Sequence, residues 1–148
     1  MKIKTGSSKD TELVAKKFIS GLISFLKNKE SVVLALEGDL GAGKTTFVKG
    51  IFSALKIKGS ALSPTFIIVR KKKTANKVIK NVFHMDAYRL KKEEELFGIG
   101  FFEMLKTPAS LTIVEWAGNI KKAIPKDAIW IKFSHGKKEN ERIIEIKK

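Results

Sequence analysis

The chain contains no cysteine. That removes disulfides, thiolate nucleophiles and cysteine-ligated zinc, and it fits a reducing compartment. Long apolar runs are also missing. The longest stretch without a charge is Gly59–Val69, 11 residues, whereas a membrane-spanning helix needs about 18 or more. The opening MKIKTGSSKD has no apolar segment of the secretory type. A soluble, cytoplasmic protein is the expectation. Negative charge is scarce, with 15 acidic residues against 30 basic ones and a net charge of +15. Arginine is scarcer still: Arg70, Arg89 and Arg142 are the three, and the other 27 cations are lysine. Arginine is the usual reader of phosphate and base edges. A lysine-rich solvated surface is therefore the plainer reading of the charge, with contact to a polyanion such as RNA as the alternative.

What is present is ordinary globular material. The 148 residues are 43% hydrophobic, enough for one domain over residues 1–148 with a core of its own. Val14, Phe18, Leu22, Phe25 and Leu26 recur at helical spacing, which predicts a helix over Asp10–Lys27 with Ser8 or Asp10 as its cap. Ser31–Leu36 is a nearly continuous apolar run, the mark of a strand buried on both faces. A second helix is predicted over Lys44–Leu55. Phe66–Arg70 and Val78–Phe83 read as a hairpin with Lys71–Lys73 at its tip. Short helices follow around Glu93–Phe97 and Phe101–Leu105, punctuated by Gly98 and Gly100. Leu111–Val114 is another buried strand. Ala128–Phe133 and Arg142–Ile146 alternate apolar and polar residues, as an antiparallel pair does. The order predicts an α/β fold in a single domain, a mixed central sheet with flanking helices.

Gly38-Asp39-Leu40-Gly41-Ala42-Gly43-Lys44-Thr45 matches G-x-x-x-x-G-K-[ST] in full. Its setting matches too, between a buried strand and a helix. Glycines let the backbone wrap an anion, and the exposed N–H groups with the helix N-terminus attract phosphate. Gly41, Ala42, Gly43, Lys44, Thr45 and Thr46 are the expected nucleotide contacts. Lys44 would reach the β- and γ-phosphates, and Thr45 would offer its hydroxyl to Mg²⁺. Mg²⁺ usually takes one or two protein carboxylates. Asp86 and Glu115 stand at the ends of apolar strands, where such ligands belong. A surface carboxylate is the alternative for each. Glu37 reads as structural, Glu93–Glu95 as a solvated helix start, His84 as a satisfied strand histidine. Trp116 reads as either a nucleotide-side ring or core, and Arg89 as a phosphate contact or a surface ion pair.

The guanine-selecting Asn-Lys-x-Asp pattern is absent, which favours ATP over GTP. No cluster of arginines names a kinase acceptor site, and slow hydrolysis is expected.

Five segments together resemble the TsaE family: GDLGAGKTTF (Gly38–Phe47), SPTF (Ser63–Phe66), HMDAYRL (His84–Leu90), ELFGIGFFE (Glu95–Glu103) and VEWAG (Val114–Gly118). They span just over half the chain. The resemblance implies a P-loop ATPase acting with TsaD and TsaB in threonylcarbamoyl modification of the adenosine beside the tRNA anticodon. It implies that Thr45, Asp86 and Glu115 serve Mg²⁺, and that Lys44, Asp86, Glu115 and Thr65 act in hydrolysis, Thr65 as a γ-phosphate sensor. It places Thr11 near the nucleotide. Contact with tRNA would be direct or through the complex. A small-molecule kinase and a nucleotide-gated RNA-binding module stand as alternatives on the residues alone.

Overall fold

The computed structural model describes residues 1–26, 30–59 and 69–147. Thr65, the rest of the SPTF segment and the predicted strand residues Phe66–Ile68 lie outside them.

Among the described residues, seven strands form one mixed sheet: β1 (Lys2–Thr5), β2 (Ser31–Glu37), β3 (Val69–Lys73), β4 (Asn81–Asp86), β5 (Ser110–Glu115), β6 (Ile129–His135) and β7 (Arg142–Lys147). Their order across the sheet is β1-β7-β6-β2-β5-β4-β3. The inner four, β6, β2, β5 and β4, are parallel, and β3, β7 and β1 are added antiparallel at the flanks. The continuous apolar run of β2 has its physical reason here. It is paired on both sides and covered on both faces, so Val33–Leu36 are all buried.

One face is covered by α1 (Ser8–Phe25) and α2 (Lys44–Ala54). Thr11, Ala15 and Ile19 of α1 recur at i, i+4, i+8 and are buried against α2 and the sheet. Phe47 joins the layers, edge-on to Phe133 of β6 at 5.4 Å and tilted against Phe18 of α1 at 5.9 Å. The other face is covered by α3 (Glu95–Gly98), α4 (Phe101–Lys106) and a 3-10 turn at Ala117–Ile120. Leu96, Phe101, Ala117 and Ile120 pack there on Ala35, Met85 and Val114.

The two long helices touch at Gly50. A Cβ at that position would sit 2.4 Å from Glu12 O and 2.6 Å from the Ala15 Cβ. Gly50→Ala must therefore push α2 off α1. We expect it to cost about 1–3 kcal/mol, read as a lowered denaturant midpoint with an unchanged slope. An unchanged midpoint would show that the helices have slack at this crossing.

Some boundaries differ from the sequence reading. The cap of α1 is Ser7, whose Oγ accepts from Asp10 N at 3.1 Å, while Asp10 Oδ2 accepts from Gly6 N. Ser8 and Asp10 lie inside the first turn, which this reciprocal pair closes. Lys71–Lys73 are not a hairpin tip but the body of edge strand β3, paired with Asn81–Phe83. The turn lies beyond them. There Asn76 Oδ1 accepts from Val78 N and Ile79 N, as asparagine does in turns. Strand β1 was not foreseen. With one apolar residue in KIKT it has no pattern of its own, and β7 imposes its register, Ile3 opposite Ile144.

Candidate functional site

The loop between β2 and α2 sits at the carboxyl ends of the parallel strands, where ligands bind in sheets of this kind. Gly38 must be glycine on steric grounds. A Cβ there would meet Phe133 O at 2.4 Å. Gly41 and Gly43 take positive φ, 72° and 107°, so the loop turns without a side-chain penalty. Two residues from the far end of the chain brace it. Arg142 Nε donates to Gly41 O at 3.0 Å, and His135 Nε2 lies 3.3 Å from Leu40 O. These contacts occupy the Leu40 and Gly41 carbonyls, and Ala42 N donates to Asp39 O at 3.1 Å within the loop.

Lys44 opens α2 and is buried. Its ammonium donates to Gly38 O at 2.5 Å and Asp39 O at 2.8 Å. It also lies 4.1 Å from the centroid of the Trp116 ring, a cation–π distance. Burial lowers its pKa from the ordinary lysine value, and the nearby carboxylates of Glu115, Asp39 and Asp86 oppose that shift. Trp116 itself has φ 58°, a conformation rare for a bulky residue and costing of order 1–3 kcal/mol. The Tyr88 ring lies against it, tilted by 55° with ring centroids 4.8 Å apart. Asn119 Nδ2 donates to Ala87 O at 3.1 Å and so ties the Trp116 turn to the end of β4.

The two predicted carboxylates come together. Asp86 and Glu115 are register partners at the ends of β4 and β5. Both are buried. Glu115 is held at both oxygens: Thr45 donates to Oε2 at 3.1 Å, and His84 Nε2 is 2.7 Å from Oε1. Asp86 Oδ1 accepts from Tyr88 N at 2.8 Å. Thr45, Asp86 and Glu115 thus bring a hydroxyl and two carboxylates to one wall of the cleft. These are hard oxygen donors suited to Mg²⁺. Among the described residues no group of three or more histidines and carboxylates could cage a metal alone. The set fits an ion that brings phosphate and water ligands with it.

The cleft has a volume of about 390 Å³, and Gly41, Gly43, Lys44, Thr45, Thr46, Asp86 and Glu115 line it together with Tyr88 and Trp116. Thr11 lies on the other side of the loop, in a smaller cavity with Ser7, Gly43 and Arg142. Its hydroxyl is engaged by Thr5 Oγ1 at 2.9 Å and Ser7 O at 3.2 Å. Ala42 is fully buried beneath the loop. Glu37 pairs with Lys132 at 3.2 Å and is structural. Arg89 is exposed and does not line the cleft. The sequence reading missed two contributors, His135 and Arg142, which brace the loop; His84 is the satisfied strand histidine it expected, with Glu115 as its partner.

A sequence profile described as "Threonylcarbamoyl adenosine biosynthesis protein TsaE" matches residues 5–144. The chain belongs to the TsaE family. The TsaE protein of Bacillus subtilis is 36% identical over 132 residues, 88% of this chain and 75% of that one. The TsaE protein of Rickettsia typhi is 35% identical over 143 residues, 96% of this chain and 91% of that one. Both carry the name tRNA threonylcarbamoyladenosine biosynthesis protein. A crystal structure of Bacillus subtilis YdiB superimposes with a TM-score of 0.70 and 30% identity, covering 97% of this chain and 82% of that one. The α/β fold with a mixed sheet is therefore that of a solved relative. No helix among the described residues is long and apolar enough to cross a membrane.

Proposed function

We propose that this TsaE-family chain is a slow, Mg²⁺-dependent ATPase that acts with TsaD and TsaB in threonylcarbamoyl modification of the tRNA adenosine beside the anticodon. One observation carries the ATPase reading: the P-loop lysine and the Thr45–Glu115 pair face the same cleft, with Asp86 beside them. Anion cradle and cation ligands are assembled where a nucleoside triphosphate would bring both charges together.

On this reading the loop N–H groups and Lys44 bind the phosphates. Thr45, Glu115 and Asp86 hold Mg²⁺, which supplies neutralisation of the charge that builds on the phosphate oxygens. Glu115 arrives already oriented, because His84 fixes one of its oxygens. Trp116 and Tyr88 exclude water from one side. None of these groups is a strong general base, which accounts for slow turnover. Leu40 and Tyr88, 85% and 62% exposed, lie at the rim and offer apolar surface to a protein partner. The kinase alternative is weakened by the arginines. None lines the cleft above Lys44, and Arg142 is committed to the loop carbonyl.

The reading is tested in two measurements. Trp130→Phe leaves Trp116 as the reporting indole. Adding MgATP should draw the ammonium off its ring and change its emission, saturably. Hydrolysis should be slow alone and should change on adding TsaD and TsaB. No emission change and no hydrolysis would sink the nucleotide reading. Brisk hydrolysis indifferent to the partners would sink the partnership.

A further inference from the structure

The lysines look scattered in sequence, but the fold gathers them. From Leu40 to Met85 the chain has ten basic residues and no acidic one. Lys44 belongs to the cleft. Lys56 and Lys58 follow the end of α2, and Lys71, Lys73, Lys77 and Lys80 lie on edge strand β3 and its turn; all six are exposed. The two groups meet, since a Cβ on Gly59 would be 3.4 Å from Lys72 Nζ. The ion pairs among the described residues lie elsewhere, at Lys4–Glu141, Lys132–Glu37, Lys147–Glu145 and His84–Glu115. Among the described residues, no carboxylate forms an ion pair with this edge.

Its position separates it from the nucleotide cleft. Asp86 marks the cleft end of β4, and Lys73 pairs with Asn81 at the opposite end, about 17 Å away along the strand. Among the described residues, the large apolar side chains that are exposed are Met1, Leu13, Phe25, Leu40, Tyr88 and Phe97. None lies on the β3–β4 turn or at the end of α2. Protein–protein interfaces are poor in lysine and rich in aromatic anchors. A surface of lysines with no such anchor among its described residues is suited instead to the repeating charge of a nucleic-acid backbone.

We propose that the β3–β4 hairpin and the adjoining end of α2 form an RNA-binding edge, which contacts the sugar–phosphate backbone of tRNA without reading its sequence. Lysine point charges bind phosphates and specify nothing about bases. Nucleotide and RNA would then occupy opposite ends of the sheet at the same time.

The test is binding of the full chain to fluorescently labelled tRNA by anisotropy, over a series of salt concentrations. Wild type should bind at low salt, with affinity falling steeply as salt rises. A variant with Lys71, Lys73, Lys77 and Lys80 all changed to alanine should flatten the log–log slope by about three, at roughly 0.7–0.9 for each phosphate no longer neutralised. A control with Lys9, Lys17, Lys121 and Lys122 changed to alanine has the same net charge and should show less than a third of that flattening. Basal ATP hydrolysis should be unchanged in both variants. Equal flattening in the two variants would overturn the proposal in favour of diffuse attraction, and so would absence of tRNA binding at low salt. Intact tRNA binding with abolished binding to the TsaD–TsaB proteins would also overturn it, making the edge a protein-docking face.

Discussion

Lys44→Met should weaken MgATP binding by about 100-fold or more and abolish detectable hydrolysis. The ammonium is buried and already donates two hydrogen bonds to loop carbonyls. Binding a triphosphate exchanges those neutral acceptors for charged ones. A hydrogen bond to a charged group contributes about 1.5–3 kcal/mol. Removing two of them costs at least about 3 kcal/mol, or roughly 100-fold in affinity. Methionine keeps an apolar stem of similar length beneath Trp116, so the change isolates the charge. Folding should survive, because burial makes the charged lysine costly in the fold. Calorimetric titration with MgATP checks the affinity, and a thermal melt checks the fold. Binding within a few-fold of wild type would mean that the cleft is not a triphosphate site.

Glu115→Gln separates the metal from the nucleotide. Glutamine has the shape of glutamate and can still meet both Thr45 and His84, but it has no charge for Mg²⁺. Alanine would be a poorer choice, because it strands the buried His84, at a cost of about 1–3 kcal/mol. Mg²⁺-dependent hydrolysis should fall by about 100-fold, the loss typical of removing one stabiliser of transition-state charge. Nucleotide affinity in the absence of Mg²⁺ should change by less than about threefold. Added Mg²⁺ should no longer tighten binding. Hydrolysis equal to wild type would refute a metal role for Glu115. Equal weakening of binding with and without Mg²⁺ would place it in the phosphate contacts instead.

How much of this was legible depended on distance along the chain. The loop Gly38–Thr45 could be read because its chemistry is local: glycines, lysine and hydroxyl act within one turn of one another. Asp86 and Glu115 could be placed at strand ends, but not beside each other, since that follows from the β4–β5 register. The role of His84 was hidden for the same reason; its partner is 31 residues away. The braces His135 and Arg142 act across 95 and 101 residues, and no pattern near either one points to the loop. Trp116 reads from the sequence as either a nucleotide-side ring or core. It lines the cleft, and its positive φ is a tertiary constraint that no local propensity foretells. Lys71–Lys73 looked like a turn because charge usually marks one. An edge strand tolerates the same residues, and lysine there also discourages unwanted strand pairing.

The bracing of the phosphate loop sets an order of assembly. β1 is made early and pairs with β7, made more than a hundred residues later, and β7 begins with the arginine that grips Gly41 O. During synthesis the loop sequence is present long before its support exists. A nascent chain lacking the final hairpin can form α1, α2 and the inner strands β2, β4 and β5, yet its phosphate loop hangs on one side only. Contacts of such long separation close late and slowly. On the proposed reading, a nucleotide would meet a finished receptor only after β7 has docked, and the ability to bind one would report that β7 is in place.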